Sequence, residues 1–548
     1  MSIISPSDVA LESLGQMQLS MTHLDVTGIS TLARQVALNI EKLQEDATRH
    51  EEAARAARQK ASLLQATLNS YTNAILPIFG LPDEILINIA ELCVEADTAG
   101  HALSIHATQR VLAQLSRRWR RIVLSTPSLW RIVRVNTAIH RDTPQRWPFL
   151  LKRWLQYSDP SPISCLAFFG IGGRDGYNRA ILELLVSQAH RLHRVDIDFG
   201  NDTTLYYQFT DMRWHMPHLH SLEIAVTIPN TESTATSSDR EAFLSAPNLK
   251  EATLYNDEPR GLRGCVLPWS QLLELSWSLN TPGDFLNVVP HLSSLRCCYL
   301  EIVSNGDVRG SQMIVLNHLR HLEVYGPFLG TIEILKRLSL PCMKGFETHF
   351  IEYLDKDAAD AVLSSFAALQ TRSRCSTRLF SAPMMLFTSP SCPAIADDLV
   401  SVQELALEVG TVNTINDDFS NLGKNRLFPN LRILHISFED LSEALLSDVA
   451  DVVEKRCRPN SRTSQRLEQL SMEVVIWKDR LPERILDTSP SFRRILDLQK
   501  HGLKLLGEVI DGTWHSSYRD TSWTAGDLTR DERRWARFGY SDWLKDNL

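Results

Sequence analysis

One short element recurs down most of this chain: a leucine, two variable residues, an apolar residue, one variable residue and a second apolar residue. It stands at Leu192/Val195/Ile197, Leu219/Leu222/Ile224, Leu249/Ala252/Leu254, Leu272/Leu275/Trp277 and Leu292/Leu295/Cys297. It returns at Leu319/Leu322/Val324, Met343/Phe346/Thr348, Val402/Leu405/Leu407, Leu431/Leu434/Ile436 and Leu467/Leu470/Met472. Most copies follow one another at roughly 20–30 residues, a period that signals a repeat architecture. The last two apolar positions alternate, as one face of a short strand requires. Runs such as Asn178 to Gln188 and Asp284 to Val289 read as helix between copies. One such unit cannot bury its own apolar face, but a stack of them makes a continuous core.

The pattern therefore predicts an α/β leucine-rich-repeat solenoid over 136–510, with short parallel strands on one face and helices on the other. The gap between Met343 and Val402 holds about two periods, and a degenerate copy is expected near Arg378-Leu379-Phe380. The last unit pairs a helix at Phe492 to Gln499 with a strand at Leu503 to Leu506, separated by Gly502. Before several copies stand His218, Asn248, His291, His318 or Asn430, often after Pro217, Pro247, Pro290 or Pro429. Proline stops the preceding helix. Asn or His can then bond turn backbone before the strand begins.

The N-terminal part reads differently. Residues 1–28 have weak periodicity and are expected to be mobile. Over 29–76 a long helix is predicted. Its seam runs through Val36, Ile40, Leu43, Ala47, His50, Ala54, Ala57, Ala61, Leu64, Leu68, Tyr71 and Ile75 at alternate spacings of four and three. Either the 36–75 seam forms a coiled-coil homodimer, or the helix stands alone ahead of the next module. Pro77 ends it.

Residues 77–135 carry Leu81-Pro82-Asp83-Glu84-Ile85-Leu86, then Ile89. A second helix follows with Val111, Leu112, Leu115, Trp119, Ile122 and Val123, and then Ser125-Thr126-Pro127-Ser128-Leu129-Trp130. This segment resembles an F-box, in the form seen in many fungal F-box-like proteins. Ser116 stands where the family often has cysteine, and the loop Val94 to His106 is longer than usual. The resemblance implies docking onto a Skp-type adaptor through Leu81, Pro82, Glu84, Ile85, Leu86, Ile89, Leu112, Leu115 and Trp119. With the repeats behind it, it implies a substrate receptor of an SCF-type ubiquitin ligase, its client held on the repeat surface. A domain this small, with so many large apolar residues, buries too little alone, which fits a helical partner. The alternative is a scaffold outside any ligase, dimerised by the N-terminal helix.

Other chemistry is weakly signalled. Gly170, Gly172 and the residues to Gly176 imitate a dinucleotide loop, but Asp175 stands where Gly or Ala is needed and would repel phosphate. A nucleotide-binding enzyme is thus the least favoured reading. No catalytic residue, cofactor or metal is expected. His215, His218 and His220, and His318 with His321, lack metal-ligand spacing. Cys297 is expected to face the core as a small hydrophobe beside Cys298. Arg117, Arg118, Arg120 and Arg121 surround an apolar helix face rather than a nucleic-acid site, and the net charge of −8 argues against nucleic acid. Nine cysteines without a CxxC pair fit a reducing cytoplasmic or nuclear setting. No membrane span or secretory leader is expected. Residues 511–548, with Trp514, Trp523, Trp535 and Trp543, read as a C-terminal extension.

Overall fold

The computed structural model describes residues 26–75, 77–97, 107–137, 144–170, 175–211, 215–226, 245–256, 267–306, 312–352, 354–388, 399–409, 422, 427–438, 442–457, 466–476 and 489–511. The N-terminal residues to 25, most of the Val94 to His106 loop, residues 171–174 of the glycine-rich loop and the extension from 512 lie outside the described residues. The chain divides into two compact units, Met1–Leu86 and Ile87–Leu548.

In the first unit a helix of 50 residues spans Val26–Ile75. At 1.5 Å per residue it is about 75 Å long. Ile40, Leu43, Leu64, Leu68 and Tyr71 of the predicted seam are all exposed. Leu81 and Pro82 lead into the helix Asp83–Ala96, which opens with Asp83 and Glu84 in its first turn, where carboxylates complement the helix dipole.

The second unit begins with short helices whose ends are tied down by side chains. The helix Thr108–Leu115 starts where the Thr108 backbone N–H and Oγ1–H donate to Asp97 Oδ2 at 3.1 and 2.5 Å. The helix Arg117–Ser125 is capped by Ser116, whose Oγ accepts from the Trp119 N–H at 3.2 Å. A cysteine there would be a poorer acceptor. Trp119, Ile122 and Val123 are buried while Arg117, Arg120 and Arg121 are exposed, as one amphipathic face demands.

Among the described residues a sheet of 14 strands dominates the unit. Its strands are β1 Ile132–Asn136, β2 Ile163–Phe168, β3 Leu192–Asp198, β4 Ser221–Val226, β5 Glu251–Asn256, β6 Glu274–Leu279 and β7 Cys297–Ile302. They continue as β8 His321–Gly326, β9 Gly345–Phe350, β10 Leu379–Pro383, β11 Glu404–Val409, β12 Ile433–Phe438, β13 Gln469–Ile476 and β14 Lys504–Asp511. They lie side by side in chain order, and every neighbouring pair is parallel. The sheet begins at Ile132, inside the stretch that the sequence assigned to the helical module. The degenerate copy near Arg378 is a full strand, β10.

One copy is out of register. Leu292/Leu295/Cys297 was expected to point its last two apolar residues inward. In β7 it is Cys298 and Leu300 that align with the core-facing Leu322 and Val324 of β8, while Cys297 aligns with His321 on the opposite face. The cause is the tight turn Val289–His291, which closes with Leu292 N–H on Val289 C=O and delays the strand by three residues. Burial pushes the Cys297 thiol up to about 12 and Cys298 further still, so both stay protonated and inert.

Neighbouring units are also joined outside the strands. From β4 to β13 the N–H before the strand donates one unit back, as in Lys250 to His220, Leu273 to Lys250, Arg296 to Leu273, Arg320 to Arg296 and Lys344 to Arg320. The asparagines before the copies do the same with their side chains. Asn248 Nδ2 donates to Pro217 C=O at 2.6 Å and Asn430 Nδ2 to Val400 C=O at 2.8 Å. Their role is therefore to tie successive turns together.

Candidate functional site

Because side chains alternate along a strand, the residues between the core positions form a second, polar face. From β7 to β12 that face carries Glu301, His321, Glu323, Glu347, His349, Glu404, Glu408 and His435. Histidines and carboxylates interlock across the strands. His321 Nε2 is 3.2 Å from Glu347 Oε1, and His349 Nε2 is 3.8 Å from Glu323 Oε1. His349 Nδ1 reaches Glu408 Oε1 at 2.9 Å, across β10, and His435 Nε2 reaches Glu404 Oε1 at 2.9 Å. Burial alone lowers the His349 pKa. Glu408, through its charge and its hydrogen bond, outweighs that with help from Glu323 and Glu347, and the imidazole rises to about 9. His349 is thus an imidazolium at neutral pH.

Further along the face sit Asp196, Asp198, Glu223, Glu251 and Glu274, against Arg194. Burial lifts the Asp196 carboxyl from 3.8 to about 6, with Arg194 pulling it down and Asp198 pushing it up. The folded state then holds this proton more tightly than the unfolded chain. Its contribution is fully present below a pH of about 4 and lost as pH rises through about 6. We expect Asp196→Asn to flatten that pH dependence and to raise stability at pH 7 by on the order of 1–2 kcal/mol. Thermal denaturation at pH 4.5 and 7 measures it; a variant no more stable than wild type at pH 7 refutes it.

The helical segment supplies a contrasting surface. Trp130 is buried; its Nε1–H donates to Val123 C=O at 2.8 Å, and its own carbonyl accepts from Trp154 Nε1–H at 2.9 Å. Its ring meets Trp154 edge-on at 4.9 Å and Tyr157 at 4.8 Å. Gln109 Nε2 donates to Leu129 C=O, Ser128 Oγ to Glu91 Oε1 and Arg134 Nη1 to Asp97 C=O. These bonds hold the helices against the first strand and the helix Trp147–Tyr157. Leu92 at 66%, Leu115 at 58% and Val111 at 44% exposure remain uncovered.

Neither a family model nor a curated protein matches this chain. Its function must be read from these two surfaces.

Of the residues that the F-box resemblance put forward, Pro82, Glu84, Ile85 and Leu115 are exposed, and Leu81 and Ile89 are partly exposed. Leu112 and Trp119 are buried and serve to build the helices. Leu86, expected on the exposed side, is 1% exposed, because it sits on the apolar stripe of its helix with Ala90. Leu92 and Val111 were missed as surface residues. The His–Glu face was missed too, because its members come from neighbouring strands 24–34 residues apart in sequence. His321 is joined by Glu323 and Glu347, whereas His318 is exposed at the turn. The glycine-rich loop offers little for a nucleotide among its described residues: Gly170 N–H donates to Thr137 Oγ1, and Asp198 Oδ1 accepts from Gly200 N–H. Among the described residues no helix is long and apolar enough to cross a membrane.

Proposed function

We propose that this chain is a substrate-recruiting receptor of an SCF-type ubiquitin ligase in the cytoplasm or nucleus, with no chemistry of its own. The F-box-like helices dock onto a Skp-type adaptor. The parallel sheet, read as a leucine-rich-repeat solenoid, offers its polar face to the client. The observation that carries this reading is the exposure of Leu92, Val111 and Leu115 on the helices that hold the F-box-like motif. Uncovered large apolar residues of this kind mark an interaction surface, and a helical partner would cover them. The carboxylate-rich sheet face favours a client segment with Lys or Arg, since complementary charge guides encounter and rejects acidic partners.

A second reading is a scaffold that dimerises through the long helix. It is favoured by the exposed seam at Ile40, Leu43, Leu64, Leu68 and Tyr71. One experiment separates the two: co-expression with a Skp-type adaptor, pull-down, and light scattering of the recovered species. We expect a one-to-one complex that Leu115→Asp, or Leu81→Ala with Pro82→Ala, weakens about tenfold or more. Equal recovery of wild type and variants sinks the receptor reading. A dimer without adaptor, abolished by removing residues 1–76, establishes the scaffold.

A further inference from the structure

We propose that His321, Glu323 and Glu347, on the polar face of β8 and β9, bind one divalent cation of the zinc class. Each offers one donor atom, and the three atoms lie within 4.8 Å of one another. A first-row ion bonds imidazole nitrogen and carboxylate oxygen at about 2.0–2.2 Å. In a tetrahedral shell such ligands stand about 3.3–3.6 Å apart, so side-chain shifts of under about 1 Å close it.

Two features argue for a cation. Glu323 and Glu347 are direct partners across neighbouring strands. Like charges placed so oppose pairing, and their burial, at side-chain exposures of 12% and 7%, removes the water that would screen them. The second feature is Gly345. It is the register partner of His321, and a Cβ there would collide with His321 Nδ1. Glycine at this position leaves the imidazole room to lie over β9 toward Glu347. One imidazole with two carboxylates suits zinc, cobalt or manganese better than calcium or magnesium, which take all-oxygen shells. Three protein ligands leave a fourth position open.

The test uses the full chain, stripped with a chelator and dialysed. Zn²⁺ is titrated by calorimetry and Co²⁺ by visible absorption. We expect one ion per chain and weak Co²⁺ bands without intense thiolate charge transfer. Glu323→Gln, Glu347→Gln and Gly345→Ala should each weaken binding about tenfold or more. Absence of binding by wild type, thiolate charge transfer, or equal affinity across folded variants overturns the site. Should a variant fail to fold by circular dichroism, the wild-type stoichiometry and Co²⁺ spectrum decide by themselves.

Discussion

Replacing Arg456 by leucine should be among the most damaging single changes in this protein, costing about 3–5 kcal/mol. Arg456 ends the helix Glu443–Cys457 and is 1% exposed. Among the described residues no carboxylate pairs with it. Its guanidinium instead donates to three backbone carbonyls: Leu422 at 3.0 and 2.7 Å, Phe428 at 2.7 Å and Leu427 at 2.5 Å. Burial lowers its pKa to about 10, so the charge persists at neutral pH. Phe428, one of the three acceptors, adopts φ 53°, the left-handed region that a β-substituted residue seldom occupies. That conformation seats the Phe428 ring against Phe387 at 5.5 Å. Leucine would remove the guanidinium donors from Leu422 and Leu427 C=O, while Phe428 C=O keeps Leu431 N–H; each lost partner is worth about 1–3 kcal/mol when buried, offset in part by relief of the buried charge. Lysine keeps the charge but not the planar fork, so about half of the loss is expected. Thermal denaturation with hydrogen exchange over 427–457 measures both. A leucine variant within about 1 kcal/mol of wild type would show that the Phe428 conformation holds without the guanidinium.

The second large effect is expected at Trp130. Trp130→Ala should cost about 3–5 kcal/mol, from a cavity and the donor lost to Val123 C=O. Trp130→Phe keeps most of the ring and loses only the bond, so about 1–2 kcal/mol is expected. What distinguishes this site is where the damage falls. Trp130 joins the short helices to β1 and to the helix Trp147–Tyr157 through Trp154 and Tyr157, with the Arg110 guanidinium 5.3 Å above the Trp154 ring. Limited proteolysis of Trp130→Ala should therefore cut between the helices and the sheet before the sheet itself is degraded. Simultaneous loss of both would mean that Trp130 stabilises the whole unit evenly.

These two residues also show what the chain discloses before it is folded. Trp130 was legible, because it closes a recognisable segment. Arg456 was not: a basic residue in the last turn of a helix ordinarily faces water, and nothing local tells that its carbonyl partners come from 28–34 residues upstream. Arg372 repeats the device, donating to Leu335 and Leu338 at the end of the helix Phe328–Arg337. The strands were legible wherever Leu, apolar and apolar fell at fixed offsets. The reading slipped at β7, where a tight turn inserted three residues and Cys297 mimicked the pattern that Cys298 fulfils. The polar face escaped notice for a different reason. Its residues are the variable positions of each copy, and only parallel register brings Glu323, Glu347 and His349 together.

The turn-to-turn ladder has a mechanical consequence. Each strand and each turn bonds to its immediate neighbours, and those bonds all point along the stack. A pull on the two ends of the sheet therefore loads them one after another, like the teeth of a zip. Under such tension the chain gives way unit by unit from an end, each release paying out about 25–30 residues, or roughly 80–110 Å of extended chain. An edge that frays in this way can be taken up by a processive unfolding machine without the whole sheet having to melt first.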